Sequence, residues 1–218
     1  CEFRADAAFF FLISLLVPRA VGVRGRRQRQ MCIRDRVDSA LFDRVRTCDN
    51  HCEFCFIYQL PPGLRRSLYV KDDDYRLSFL YGNFTTLTRF TEADMERVLS
   101  EGLSPLYVSI HATDPDKRTE MLRNRRGATS LRWLRALLDH DITVHGQVVV
   151  CPGLNDGLWL EDTLAGVADR FLGRASICVV PLGVSRYTDE VRMRALSVIH
   201  IFAPTSIRRS PYAGCGWQ

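Results

Sequence analysis

Three cysteines lie close together in residues 47–56, which read TCDNHCEFCF. Cys48, Cys52 and Cys55 follow the pattern Cys-x3-Cys-x2-Cys, and the other five of the eight cysteines are scattered along the chain. A disulfide framework would distribute its cysteines in pairs, whereas three thiols would leave one unpaired. The cluster therefore indicates metal binding or catalysis in a reducing compartment.

Two kinds of metal centre compete for these three thiols. Structural zinc needs four ligands, usually from two Cys-x-x-Cys-like pairs, and only Cys52 and Cys55 form such a pair. His51 could supply a fourth ligand, although it adjoins Cys52 in the sequence. A 4Fe-4S cluster is usually held by thiolates, so three cysteines would leave one iron open for a substrate or cofactor. The iron–sulfur centre is the favoured interpretation, and zinc is the alternative.

The segments that must position these cysteines alternate between strand-like and helix-like patterns. Runs rich in β-forming residues predict five strands, at residues 40–46, 82–88, 106–111, 143–150 and 176–181. Capping residues and helical spacing of apolar residues predict five helices, at residues 72–80, 91–99, 114–122, 130–140 and 158–171. This alternation predicts a parallel β/α sheet, in which ligands bind at the carboxyl ends of the strands.

Composition and charge narrow the class of protein. A chain of 218 residues can form one domain with a substantial core, and 46% hydrophobic with 25% charged residues is typical of a globular protein. Residues 37–192 contain 19 Lys and Arg against 22 Asp and Glu, a net charge of −3. The overall charge of +5 therefore comes from the two ends. The central segment lacks the basic surface that is typical of nucleic-acid binding.

Both ends of the chain look foreign to the central segment. The apolar run at residues 7–17 is too short for a transmembrane helix, and its arginines follow it, unlike those of a signal peptide. Residues 31–36 (MCIRDR) resemble the translation of an adapter used in DNA library preparation, and residues 196–201 (LSVIHI) nearly match its opposite strand. We therefore expect non-native or disordered segments at 1–36 and 193–218 around a core domain at 37–192, with no membrane association.

The cysteine motif, placed after a first strand and with Phe54 before its last cysteine, resembles the signature of the radical S-adenosylmethionine (SAM) enzymes. The resemblance implies an α/β fold, a partial TIM-like β/α barrel that is incomplete but has at least five parallel strands. It also implies that Cys48, Cys52 and Cys55 bind a 4Fe-4S cluster whose open iron binds SAM. Reductive cleavage of SAM would then give a 5′-deoxyadenosyl radical that acts on a substrate.

Longer blocks resemble one family within that superfamily, the family carrying domain of unknown function 512. They include LYVSIHATDP, HGQVVVCPGLNDG and VVPLGVSRYT, and together they span most of residues 44–188. Members usually have a PDZ-like domain before the core and the namesake domain after it. The resemblance therefore implies a truncated core, and it specifies the chemistry without specifying a substrate.

Four further residues are predicted to contact SAM. Gly82 and Asn83 stand where the superfamily often has Gly-Gly-Glu, so Asn83 or backbone carbonyls would accept hydrogen bonds from the SAM amino group; a strand-entry turn is an equally weighted alternative. Ser109 resembles a serine that lies near the cofactor ribose in radical SAM enzymes that methylate ribosomal RNA. Gln147 shares a strand face with His145 and would contact ligand if that face lined the barrel.

For the other polar side chains of the central segment, a structural role is the favoured interpretation. His111 is expected to be a hydrogen-bonded structural histidine, and Cys151 a small buried residue at a strand end. The basic run at residues 123–126 could be a solvated helix end, or it could contribute an arginine to the SAM carboxylate.

These observations predict a cytoplasmic iron–sulfur enzyme of the radical SAM type, with an unknown substrate and unknown catalytic residues beyond the cofactor ligands. Its expected partners are that substrate and an electron donor such as a flavodoxin or ferredoxin, without nucleic acid. One alternative is an RNA-modifying radical SAM enzyme, which the negative central charge disfavours. Another is a non-catalytic module that binds zinc or an iron–sulfur cluster.

Overall fold

The structure is a computed structural model that describes residues 45–171 and 175–196. Its centre is a three-stranded parallel sheet of β1 (Leu106–Ser109), β2 (Val144–Val150) and β3 (Ala175–Pro181), in that spatial order. Each crossover between neighbouring strands contains α-helix, as parallel strands require. All three strands therefore end at the same edge of the sheet.

Five α-helices lie within the described residues. They are α1 (Tyr75–Tyr81), α2 (Glu92–Glu101), α3 (Pro115–Leu122), α4 (Gly127–Asp139) and α5 (Leu158–Phe171). Their starts follow from the local sequence: a capping box joins Thr91 and Asp94 at α2, and the Asp114 side chain caps α3 with proline in its first turn. No helix in the described part of the chain is long and apolar enough to cross a membrane.

The hydrophobic core lies between the sheet and its helices. Burial alternates along β2, so that Val144, Val148 and Val150 face the helices. Leu134 and Leu137 of α4 are also fully buried in this cluster. Burying side chains of this size contributes roughly 1.5–3 kcal/mol each, so this face of the sheet is the main source of stability.

The opposite face of the sheet carries polar and aromatic side chains. Ser109 and Gln147 are register partners, as are Tyr107 and His145. The rings of Tyr107 and His145 lie 4.9 Å apart, and His145 Nδ1 lies 2.7 Å from the hydroxyl of Ser176. Strand alternation therefore places Ser109 and Gln147 together on the face turned away from the helical core.

Three of the five predicted strands are confirmed with small changes of boundary, but the strand at residues 82–88 is wrong. There, α1 runs to Tyr81, Gly82 ends it with φ of 78°, and Leu87 has φ of 58°. Only Thr85 joins the sheet, through an isolated parallel bridge to Val108. The predicted helices are confirmed, although α1 begins at Tyr75 rather than at residue 72.

The predicted total of at least five parallel strands is not reached, because the sheet of the described residues has three strands and does not close. Most of the first predicted strand, at residues 40–46, lies outside the described residues. Thr47, just after it, pairs antiparallel with Asp72. The segment predicted at 1–36 and all but residues 193–196 of the segment at 193–218 also lie outside the described residues.

Candidate functional site

The cysteine loop, residues 47–56, is fastened at both sides to neighbouring segments. The amide of Cys48 donates to the carbonyl of Lys71 at 2.7 Å, and the amide of His51 donates to the carbonyl of Leu122 at 3.0 Å. A tight turn follows, in which the amide of Cys55 donates to the carbonyl of Cys52 at 3.2 Å. These bonds set the backbone of the loop before any side chain is considered.

The three thiols of the cysteine loop are free. Cys52 is buried, and Cys48 and Cys55 are half-buried. Burial raises the pKa of Cys52 to about 12, and repulsion from Cys48 and Cys55 raises that pKa further. Burial and Asp73 together raise the pKa of Cys48 to about 11.

The cysteine loop offers three thiols, which is one ligand fewer than a structural zinc site requires. Within the described residues, no group of three or more His, Cys, Asp and Glu side chains converges in an arrangement that could hold a metal ion. A tetrahedral zinc site would require four converging ligands. A cluster bound at three corners would need only three thiolates, and Cys48, Cys52 and Cys55 would have to lose their protons and converge to hold it.

Behind the loop lies a buried network of threonines around the carboxylate of Asp73. Asn50 donates to the Thr86 hydroxyl at 2.9 Å, and that hydroxyl lies 2.8 Å from the Asp73 carboxylate. Thr88 contacts the side-chain oxygens of Asn50 and Asp73 at 3.3 and 3.2 Å. Since Thr86 and Thr88 follow the bridge at Thr85, the network attaches the cysteine loop to the carboxyl edge of the sheet.

Arg118 is the largest fully buried side chain, with 0% of its surface exposed. Its guanidinium donates to the carbonyls of Thr86, Ser109 and Ile110 at 2.9 Å each, to the carbonyl of Gly127 at 3.0 Å, and to the Ser130 hydroxyl. Burial lowers its pKa to about 10, while Asp73 and Cys52 favour its charge. Arg118 thereby joins the carboxyl end of β1, the Thr86 segment and the first turn of α4.

Lys71 places a second cation beside the cysteine loop. Its ammonium donates to the carbonyl of Asn50 and to the hydroxyl of Tyr58, both at 2.7 Å, and lies 4.4 Å from the centre of the Tyr58 ring. Partial burial lowers the pKa of Lys71, but Tyr58 and the nearby thiols of Cys48 and Cys55 raise it above its usual value. A positive charge here favours the thiolate forms that metal binding requires.

The four predicted SAM contacts fall in two places. Ser109 and Gln147 are adjacent in the sheet register at its carboxyl side. Gly82 and Asn83 precede the Thr85 bridge, so they lie toward the amino ends of the strands. Gly82 lies against the Tyr107 ring, and the side-chain amide of Asn83 donates to the Asp72 carboxylate at 2.9 Å. The structure therefore brings Ser109 and Gln147 together and sets Gly82 and Asn83 apart from them.

His111 and Cys151 form part of the buried support beneath the loop. The His111 ring lies 4.8 Å from that of Phe54, and its Nδ1 accepts from the amide of Val149 at 3.3 Å. Burial, with a contribution from the charge of Arg118, lowers the pKa of His111 to about 3, so the ring is neutral. Cys151 is fully buried, and its amide donates to Asn155 at 2.7 Å.

The basic run at residues 123–126 binds carboxylates of the protein itself. Arg123 pairs with Glu53 of the cysteine loop at 2.7 Å and with Glu190 at 2.7 Å, and Arg126 pairs with Asp49. Arg192 reaches the same Glu53 oxygen at 3.1 Å. The other Glu53 oxygen is buried without a partner among the described residues. These arginines therefore brace the outer side of the cysteine loop.

Sequence reasoning missed Asp73 and Arg118 as site residues. Asp73 stands in a run of three acids that suggests a helix start, and Arg118 stands on a helix otherwise rich in charge. The signal that pointed to Asp73 was the run of threonines at residues 85–88, whose hydroxyls need partners once buried. No comparable signal marks Arg118, because its acceptors are backbone carbonyls.

Comparison with protein families gives one result that bears on this site. A family model described as a radical SAM-like domain matches residues 28–177, more than half of the chain. The match includes the cysteine loop, the Asp73 network, β1, β2 and the first residues of β3. A comparison with curated proteins finds no match.

Proposed function

Because the chain belongs to the radical SAM-like domain family, we propose that it is the core of a radical SAM enzyme. Cys48, Cys52 and Cys55 would hold a 4Fe-4S cluster, and the carboxyl side of the sheet would bind SAM. The observation that carries the proposal is the set of three free thiols within eight residues of one loop, which the Asp73 network fastens to that edge. When bound, the cluster and SAM would supply a 5′-deoxyadenosyl radical that abstracts hydrogen from a substrate.

The residues around the loop contribute preorganisation. Asn50 is held by Thr86 and Lys71, and Glu53 is held by Arg123 and Arg192. Both residues lie between cysteines of the loop, so their contacts restrict the backbone conformations that the loop can adopt before the thiols bind a cluster. Asp73 and Arg118 connect this bracing to the sheet through buried hydrogen bonds.

A small apolar cluster lies beneath the cysteine loop. It contains Ala112, Met121, Cys151, Leu154, Leu182 and Met193, with Phe54 of the cysteine loop packed against it. A dry site strengthens electrostatic interactions and limits side reactions of reactive intermediates. This packing gives the cysteine loop an apolar support at Phe54 and supports a site that is partly shielded from solvent.

Ser109 and Gln147 are the proposed contacts of SAM on the sheet. The hydroxyl of Ser109 would bind a ribose hydroxyl, and the Gln147 amide would bind polar groups of the cofactor. Gly82 and Asn83 stay predictions: the amide nitrogen of Asn83 is already bound to Asp72, which leaves its oxygen as the acceptor. An acceptor is what a cofactor amino group requires.

The finer assignments belong to the same proposal. The sequence blocks support membership in the family carrying domain of unknown function 512. With it we propose a cytoplasmic setting, reduction by a flavodoxin or ferredoxin, and action on a substrate that the resemblance does not specify.

Anaerobic reconstitution with iron and sulfide tests the proposal. We expect about four irons per chain, a broad visible absorbance that dithionite bleaches, and release of 5′-deoxyadenosine from added SAM. Cys48→Ser, Cys52→Ser and Cys55→Ser should each lose the absorbance, whereas Cys178→Ser, on β3, should keep it as the matched control. One zinc per chain with no cleavage of SAM would refute the proposal.

A further inference from the structure

A long connection, residues 56–71, joins the cysteine loop to the segment at Lys71 that pairs with Cys48. This rim loop leaves directly after Cys55, and its last residue accepts the hydrogen bond from the amide of Cys48. It contains two short 3₁₀ helices, Phe56–Gln59 and Arg66–Tyr69. The rest of the rim loop is irregular, and connecting segments of this kind lie on the surface, where binding residues are often found.

The rim loop has a defined shape. The Tyr69 hydroxyl donates to the carbonyl of Pro61 and accepts from the amide of Leu64 at 3.0 Å. Gln59 binds the backbone of Gly183 and Ser185 at 3.2 and 2.8 Å. These internal and distant contacts hold the loop in place beside the thiols.

The rim loop exposes an unusual amount of apolar surface. Five large hydrophobic side chains on it are exposed: Phe56, Tyr58, Leu64, Leu68 and Val70. Phe56, which adjoins Cys55, has 71% of its surface exposed. Single exposed hydrophobic residues are ordinary, but several on one segment mark a surface that binds a partner.

The charge of the rim loop has one sign. It contains Arg65, Arg66 and Lys71 and no acidic residue, although residues 37–192 as a whole carry a net charge of −3. Arg65 and Arg66 are exposed and form no ion pair in the part of the chain that the structure describes. An apolar patch with uncompensated positive charge is complementary to an acidic protein surface.

We propose that the rim loop is the docking surface for an acidic, one-electron carrier protein. The inference rests on the proposed function, because the loop's position beside the cysteines matters only if a cluster is bound there. One electron leaves the carrier, which is oxidised, and enters the cluster, which is reduced; no covalent bond forms or breaks. Small apolar contacts with charged rims suit such encounters, in which fast association and fast release matter more than affinity.

A charge reversal on the rim loop tests the proposal. The loss of visible absorbance measures the rate at which a reduced flavodoxin reduces the reconstituted protein. Arg65→Glu combined with Arg66→Glu should slow this rate roughly tenfold at low salt. In the wild type, raising salt from about 50 to about 300 mM should slow the same reaction, and the variant should show little salt dependence. Reduction by dithionite should be equal in both.

The matched control carries the same change of charge on α4. Arg132 and Arg135 are exposed there, and their replacement by Glu should leave the flavodoxin rate within about twofold of the wild type. Calorimetric titration of the cluster-free chain with flavodoxin gives a second measurement, in which the rim-loop variant should bind roughly tenfold more weakly. Circular dichroism checks that both variants fold.

The outcomes separate this proposal from the function on which it rests. Equal flavodoxin rates in the rim-loop variant and the α4 control would overturn the docking surface. So would a change in oligomeric state on charge reversal, since the surface would then join two copies of the chain. If dithionite reduces a cluster but SAM is not cleaved, the proposed function fails, while the docking result still stands or falls on the reduction rates.

Discussion

Arg118 offers the most direct test of how the site is held together. Replacing it by methionine keeps a side chain of similar length but removes five donors from a place without water access. The hydroxyl of Ser130 can still contact the carbonyl of Gly127, at 3.5 Å. The carbonyls of Thr86, Ser109, Ile110 and Gly127 lose the guanidinium as their donor.

The size of the effect follows from these acceptors. A net hydrogen bond contributes about 1 kcal/mol, so four lost bonds amount to about 4 kcal/mol of unfolding free energy. Removal of a buried charge offsets part of this, because the desolvation cost of the guanidinium disappears as well. We therefore expect Arg118→Met to destabilise the chain by about 3 kcal/mol.

Urea denaturation at pH 7, followed by circular dichroism, measures the change. Arg118→Lys is the matched control, because it keeps the charge but has three donors instead of five. We expect its loss to fall between those of the wild type and Arg118→Met. A loss below about 1 kcal/mol for the methionine variant, with an unchanged urea dependence, would refute the reasoning that this cation joins β1 to its neighbours.

Two further predictions concern the support beneath the site. Burial lowers the pKa of His111 to about 3 in the folded chain, against 6.5 for the solvent-exposed ring of the unfolded chain, so protonation below about pH 6.5 favours the unfolded chain. Through this group the wild type should lose up to about 1.4 kcal/mol of unfolding free energy per pH unit as the pH falls from about 6 to about 4. In urea titrations His111→Gln should remove that pH dependence, whereas the exposed control His140→Gln should keep it. An unchanged pH dependence in His111→Gln would contradict the prediction. On α5, a β-carbon added at Gly166 would lie 2.5 Å from the Thr113 hydroxyl. Gly166→Ala should therefore destabilise the chain by about 1–3 kcal/mol despite better helix propensity, and adding Thr113→Ala should restore most of the loss in thermal melts; equal stability of the single and double variants would count against the steric explanation.

The sequence predicted elements whose signals are local. The helix at Leu158–Phe171 and the capping box of Thr91 and Asp94 appear as expected, because capping and apolar spacing act within a few residues. The prediction of a strand at residues 82–88 was wrong because a long-range contact decides the structure there. Its β-forming threonines are engaged by Asp73, a partner that only the tertiary fold brings near.

The candidate site divides in the same way. The cysteine spacing is a local pattern, and the family match agrees with the interpretation drawn from it. The pairing of Ser109 with Gln147 depends on strand register, which alternation alone does not determine. The role of Arg118 depends on five acceptors from three segments of the chain, so its burial could not be read from its position on an amphipathic helix.

The contacts of the cysteine loop and the rim loop with residues 183–192 have a consequence for the order of events during synthesis. Gln59 binds Gly183 and Ser185, and Glu53 binds Arg192, across 124 to 139 residues of chain. A ribosome adding about 5–20 residues per second needs several seconds or more to make that intervening chain. During this interval the contacts of Gln59 and Glu53 with residues 183–192 do not exist, and the cysteine loop gains its ion pair with Arg192 only after that residue has been made. The protein therefore passes through a period, set by translation rather than by unfolding, in which its cysteines are open to iron, sulfide or oxygen.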